Sequence, residues 1–171
     1  MHAPILIVDE NDNPTGSASM DEAQRKGLYH RIVRVFVFNS NGELFLQKRS
    51  KNMANFPGLW DQSVGGHVDA GEDNLTAAIR ETKEEIGLEN IDLTEIGTYK
   101  VERTVGDRHF NRFNVLYSTV SDDPLKLDPE EVDDGKWVTL DELDGLVAKY
   151  PADFTEGLVD ALAFYRKKQM K

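Results

Sequence analysis

The sequence predicts an α/β domain in which a mixed β-sheet is packed between helices. Three observations carry that prediction. Apolar, β-branched runs alternate with amphipathic segments along the chain, several of the runs are joined by short turns, and residues 73–87 have helical spacing. The length of 171 residues suits one core.

Taken in order, residues 4–9 (PILIVD) read as a short strand, and the turn formers of residues 9–16 open a hairpin. Residues 19–27 are polar and weakly helical, a connector. Residues 31–38 (RIVRVFVF) suggest a buried strand, and residues 39–42 turn it back into residues 43–47. Residues 50–58 are loop, followed by a brief strand at 61–64 and by Gly65-Gly66. After the helix, residues 91–103 and 110–120 are expected as strands around the Gly106-Asp107 turn. Residues 121–135 read as an acidic loop and 136–140 as a last strand. Asp141 is positioned to cap a helix that Pro151 ends, and Thr155 to cap another with Leu158, Ala161, Leu162 and Tyr165 inward. Its basic end, Arg166 to Lys168, suits the helix dipole. Residues 1–27 are expected as an extension packed on a domain of residues 28–171.

The 31 acidic residues against 20 basic give a net charge of −11, and a pI near 4.8 argues against general nucleic-acid binding. Zero Cys excludes a disulfide scaffold, a thiolate zinc site and a Cys nucleophile. No apolar run reaches the roughly 20 residues of a membrane span. No basic segment precedes an apolar stretch at the N-terminus, so a cytoplasmic location is expected. An edge strand or the N-terminal hairpin could support a homodimer.

On a wheel of about 100° per residue, Leu75, Ala78, Ile79, Thr82 and Ile86 form one stripe, the expected core face. Glu81, Glu84 and Glu85 gather away from it, with Ala77 one turn earlier leaving open space. Like charges at this spacing repel by a few tenths of a kcal/mol per pair. Gly65-Gly66 and Gly71-Glu72 precede the helix, where backbone can approach a ligand. Oxygen donors beside an open turn suit Mg²⁺ or Mn²⁺, cations that commonly bridge phosphate oxygens.

The pattern Gly66-x5-Glu72-x7-Arg80-Glu81-Thr82-x-Glu84-Glu85-x-Gly87-Leu88 resembles a complete Nudix box, with Thr82 at a position that is usually aliphatic. The resemblance implies the Nudix fold, an α/β/α sandwich around a mixed sheet. It implies a Mg²⁺- or Mn²⁺-dependent hydrolase that cleaves a nucleoside diphosphate derivative or similar organic diphosphate by water attack at phosphorus. By position, Glu81, Glu84 and Glu85 would hold metal with the Gly65 carbonyl, or Glu81 would orient or deprotonate the water. Arg80 would join this catalytic set and pair with Glu72.

The flanks VDENDNPTG, YHRIVRVFVFNSNGELFLQKRS and FPGLWDQSVGGHV are similar to type 1 isopentenyl-diphosphate isomerases. That chemistry uses a Cys where Gly65 stands, a Glu pair on a later strand that here reads Phe110-Asn111-Arg112-Phe113-Asn114, and several His, of which His30 and His67 match. Isomerase and non-catalytic nucleotide-binding regulator are therefore the alternatives to a hydrolase. Lys48, Arg49, His67 and Glu131 are candidate substrate contacts, and Glu130 shares the acidic loop with Glu131. Phe56 and Trp60, near Pro-Gly turns, are expected in the core. Arg103 and Arg108 are expected in surface ion pairs with Glu102.

Overall fold

The computed structural model describes residues 2–171. Among them, β1 (Ile5–Val8) and β2 (Pro14–Ala18) form the opening hairpin, whose turn places Asp12 at φ 67. Residues 19–27 are more regular than expected: α1 (Met20–Lys26) is capped by Ser19 and stopped by Gly27 in the left-handed region. β3 (Tyr29–Phe38) and β4 (Leu44–Arg49) follow. The brief strand expected at 61–64 is two, β5 (Trp60–Asp61) and β6 (Val64–His67). Then come α2 (Asn74–Ile86), β7 (Thr94–Val105), β8 (Arg108–Val120) and β9 (Val132–Val138). β9 starts earlier than residue 136, because Glu131 and Val132 already engage Ser50 and Arg49 of the β4 end. α3 (Leu140–Lys149) and α4 (Glu156–Gln169) close the chain. Thr139, not Asp141, caps α3, in a reciprocal box with Glu142, and Asp141 lies in the first turn.

β3 is the hub of the sheet. One edge pairs in parallel with β8 from His30↔Arg112 to Phe38↔Val120. The other edge takes three antiparallel partners in succession: β1 at residues 29–30, β6 at 32–35 and β4 at Phe38. β3 and β4 therefore diverge from their hairpin, and the β5–β6 segment crosses the opening, paired first with β4 and then with β3. Ser63 stitches this seam: its hydroxyl donates to Phe45 O at 2.6 Å and accepts from Val37 N at 2.9 Å.

Alternation along the strands makes two layers. Val33, Val35, Val37, Val115 and Tyr117 pack against Ala77, Ala78 and Ile86 of α2. Phe36, Leu44, Leu46 and Leu116 face Leu143, Leu158, Ala161 and Leu162 of α3 and α4. The result is an α/β/α sandwich around a mixed sheet.

The buried arc of α2 differs from the expected stripe. Leu75 and Ile79 are 45% and 43% exposed, whereas Ala77, Ala78, Thr82, Glu85 and Ile86 are buried. The arc is turned by roughly 60° toward the carboxylates. Small side chains at positions 77 and 78 let the helix axis approach the sheet, which carries the acidic face inward and leaves no open space above Ala77.

Candidate active site: a carboxylate helix over a split sheet

The loop from Val68 to Asp73 delivers the acidic face of α2. Asp73 caps the helix by accepting from Thr76 N at 2.7 Å, and Gly71, at φ 82, makes the preceding turn. Glu72 accepts from Asp69 N at 3.0 Å and receives Arg80 twice, from Nε at 2.7 Å and Nη2 at 3.0 Å. Arg80 Nη2 also donates to His67 O at 3.2 Å, so one guanidinium ties strand, loop and helix together. It holds the Glu72 carboxyl below the usual carboxylate range. The expected Arg80–Glu72 pair is present, and Arg80 additionally reaches Glu81 at 2.7 Å and Glu84 at 3.4 Å.

The three glutamates occupy different environments. Glu84 is exposed. Glu81 lies beneath Gly66, and a Cβ on that glycine would overlap the Glu81 carboxyl. Burial lifts the Glu81 pKa to about 7 despite Arg80, with Glu84 and Glu131 adding repulsion. Glu85 is buried in the seam, where its Oε2 accepts from Gln47 Nε2 of β4 at 2.7 Å and from Gly65 N of β6 at 3.2 Å. Burial, with Glu81 close by, pushes its pKa well up. Glu131 is half-buried and raised by burial and by repulsion from Asp128 and Glu84, which brings it to this cluster, while Glu130 is exposed.

Among the described residues no ready-made cage of three metal-ligating side chains converges, because Arg80 draws Glu81 and Glu84 to itself. The donor set nevertheless fits a hard divalent cation. Buried Glu85 and half-buried Glu81 repel each other, both bonds to Glu85 fall on Oε2, leaving Oε1 without one, and Gly65 backbone lies alongside.

The other candidates separate. Arg49 donates to Asn55 O at 3.1 Å and lies 3.6 Å from Asp61, in electrostatic reach of Glu131. Lys48 is over Trp60, 5.7 Å from the ring, and Lys136 is at 4.2 Å, so Trp60 is half-buried between cations. Phe56 is exposed instead of core, on a tight turn with φ 53. Arg103 pairs with Glu156 and Asp160, and Arg108 with Asp21, not with Glu102, which bonds Tyr29 and Lys100. His67 faces away from α2: strand alternation sends it to the α4 side, stacked on His30 with centroids 5.3 Å apart. Burial, with Arg112 close by, holds His30 at a pKa of about 4, and burial with His30, Arg112 and Arg34 nearby holds His67 well down. A cation seeking histidine ligands there would meet two guanidinium groups.

Sequence reasoning passed over Gln47, Gln62, Ser63 and Arg34. Each is a polar residue at an inward position of an apolar strand or at the strand crossing, and that mismatch with the binary pattern was the available signal.

A loop–helix–loop with arginine-clamped carboxylates, seated on a mixed sheet between helices, defines a Nudix-fold enzyme. The model of the NUDIX domain matches residues 28–158, and the chain belongs to the Nudix family. It is 39% identical over 135 residues to an uncharacterized Nudix hydrolase of Pseudomonas aeruginosa, covering 78% of this chain and 77% of that one. It is 32% identical over 156 residues to an isopentenyl-diphosphate Delta-isomerase of Serratia proteamaculans, covering 91% and 87%. The solved structure of DR0079 from Deinococcus radiodurans superposes with a TM-score of 0.78 at 27% identity, over 95% of this chain and 98% of that one.

Proposed function

We propose that this enzyme is a Mg²⁺- or Mn²⁺-dependent hydrolase that cleaves the diphosphate linkage of a nucleoside diphosphate derivative or similar organic diphosphate. The observation that supports this most directly is the mutually repelling pair of buried Glu85 and half-buried Glu81, flanked by Glu84 and Glu131. Buried carboxylates without a cation are costly. When bound, a divalent cation supplies charge neutralisation for the diphosphate and acidifies a water.

Glu84, Glu85 and the Gly65 carbonyl would hold that cation. Arg80 fixes Glu81 through Oε1, so Oε2 of Glu81 is the oxygen that takes the proton from the attacking water. A base with a pKa of about 7 suits that task near neutral pH. Lys48 and Arg49, at the end of β4, meet the diphosphate charge. The isomerase reaction is disfavoured by Gly65 and by Arg112 and Asn114, none of which can move a proton as a thiol or carboxylate does.

The test is incubation with Mg²⁺ and a panel of nucleoside diphosphate derivatives and organic diphosphates, following phosphate and monophosphate release. Hydrolysis is expected in the wild type, with Glu84→Gln and Glu85→Gln reduced by at least about 100-fold. Absence of cleavage across the panel, with isopentenyl diphosphate converted to dimethylallyl diphosphate, would replace the hydrolase reading by the isomerase.

A further inference from the structure

The α4 face of the sheet carries a second polar cluster that the carboxylate chemistry leaves unexplained. The β3–β8 register sets His30 beside Arg112 and Arg34 beside Leu116, with Asn114 one step along. The β3–β6 register adds Gly65 and His67 to the same face. Arg34 is buried and donates to Asn114 Oδ1 and Gln62 Oε1, both at 2.9 Å, and both acceptors are neutral amides. Arg112 has no acidic partner among the described residues, and its Nε is sealed from solvent without a hydrogen bond. Asn114 Nδ2, His30 Nε2 and His67 Nε2 are likewise sealed and unpartnered. Asp61, the acid on the nearby crossing strand, is engaged with Thr155, its own neighbour Gln62 N, and Arg49.

Two inward guanidinium groups with no direct carboxylate partner, Arg112 resting only on the Phe110 ring at 4.7 Å and in reach of an Asp61 that is engaged elsewhere, are an arrangement that adds little to stability. Five orphaned polar atoms on one face, Tyr99 Oη opposite Asn114 included, are equally unusual, since buried polar groups are almost always paired. Arg112 and His67 as whole residues keep partial exposure, so solvent reaches the rim of the cluster while these atoms stay sealed. His30 Nδ1 lies 3.1 Å from Leu28 O and must donate to it, which leaves Nε2 as a bare acceptor. The cluster thus offers charged and neutral donors together with His30 Nε2 and the Tyr99 hydroxyl as acceptors. Arg49 lies in electrostatic reach of both Arg112 and Glu131, so one cation stands between the acidic and the basic cluster.

We infer that Arg34, Arg112 and Asn114 bind an anionic, oxygen-rich head group, a phosphate or a carboxylate, on the substrate moiety distal to the scissile diphosphate, with His30 accepting from a hydroxyl of that moiety. This rests on the hydrolase reading for its location in a substrate, but not for the binding itself. An alkyl tail has nothing to offer these atoms, so a hydrocarbon diphosphate is a poor fit.

The first arm of the test uses the full chain without metal. Thermal melting is compared in inorganic phosphate, malonate and chloride at equal ionic strength. The wild-type midpoint is expected to rise by about 2–4 °C in phosphate, malonate or both, and the responding anion identifies the head group. Arg112→Gln is expected to melt higher than wild type in chloride, because an uncompensated charge is gone, and to lose the anion response; Arg112→Lys keeps part of it. An equal response in wild type and Arg112→Gln, or no response to either anion, overturns the proposal. The second arm, with Mg²⁺, compares two alkyl diphosphates of equal length, one ending in a methyl and one in a carboxylate or phosphate. The charged one is expected to have at least tenfold higher kcat/KM, with the ratio falling toward one in Arg112→Gln. Equal rates in the wild type overturn the proposal. Cleavage of neither compound nor of any member of the diphosphate panel, with the anion response intact, sinks the hydrolase reading and leaves the anion site standing.

Discussion

At Glu81 and His30, burial acts on stability in opposite directions. The folded pKa of Glu81, about 7, lies above its ordinary 4.5, so the folded state favours the proton and stability is lost as pH rises from 4.5 to 7. His30, at about 4 against an ordinary 6.5, is buried neutral, and stability is lost as pH falls from 6.5 to 4. Each effect is worth roughly 3 kcal/mol at 1.36 kcal/mol per unit, so between pH 4.5 and 6.5 these two contributions offset each other. Glu81→Gln removes one limb. Urea titration should then find the variant more stable than wild type at pH 8 by about 2–3 kcal/mol and equal near pH 4, with stability climbing between pH 4 and 6.5; a variant less stable at pH 8 would contradict this. Gly66 makes a steric prediction. Gly66→Ala should displace the Glu81 carboxyl and lower kcat by more than about tenfold, while the melting midpoint moves little.

Helix α2 and the Ser63 seam set the predictions for elements. Because Leu75 and Ile79 are exposed, replacing either with Gln should change stability by less than about 0.5 kcal/mol, whereas Ile86→Ala should cost about 2–4 kcal/mol. Ser63→Ala strands Val37 N and should cost about 1–3 kcal/mol in denaturant titration. The same two elements mark the boundary of what a sequence reveals. The box was legible because its chemistry is local: Glu72, Arg80, Glu81, Glu84 and Glu85 lie within a few turns of one another, so spacing and geometry are nearly the same information. The rotation of the helix was not legible, since a wheel weighs Leu75 above Ala77, whereas the sheet selects the small residue for close approach. The α4-side cluster was still further out of reach. His30, Gln62 and Arg112 meet only through the parallel β3–β8 register and the β5–β6 crossing, and no local pattern encodes either.

For the whole molecule, the −11 charge reads differently once placed. Most of it is surface, yet Glu85 is buried with Glu81 half-buried beside it, and Arg34 is buried with Arg112 half-buried beside it on the other side of the sheet. The N-terminal hairpin is also bound to the site. Leu6 N donates to Val68 O and Ala70 N to Pro4 O, which pins the loop that carries Asp69 and Glu72. Deleting residues 2–18 should therefore lower the melting midpoint and abolish hydrolysis together, and a truncated chain that keeps wild-type activity would show the loop to be held by α2 alone. The crossing of β5–β6 has one further consequence. By sending alternate residues of β6 to opposite faces, it places the α2 carboxylates and the cluster of His30, Arg34, Arg112 and Asn114 in separate packing layers that share only a seam. Substitutions at 30, 34, 112 and 114 should then combine additively with changes on α2. On the proposed reading, a library confined to those four positions should shift specificity and leave the α2 carboxylates unchanged, an architecture that lets substrates diverge under selection.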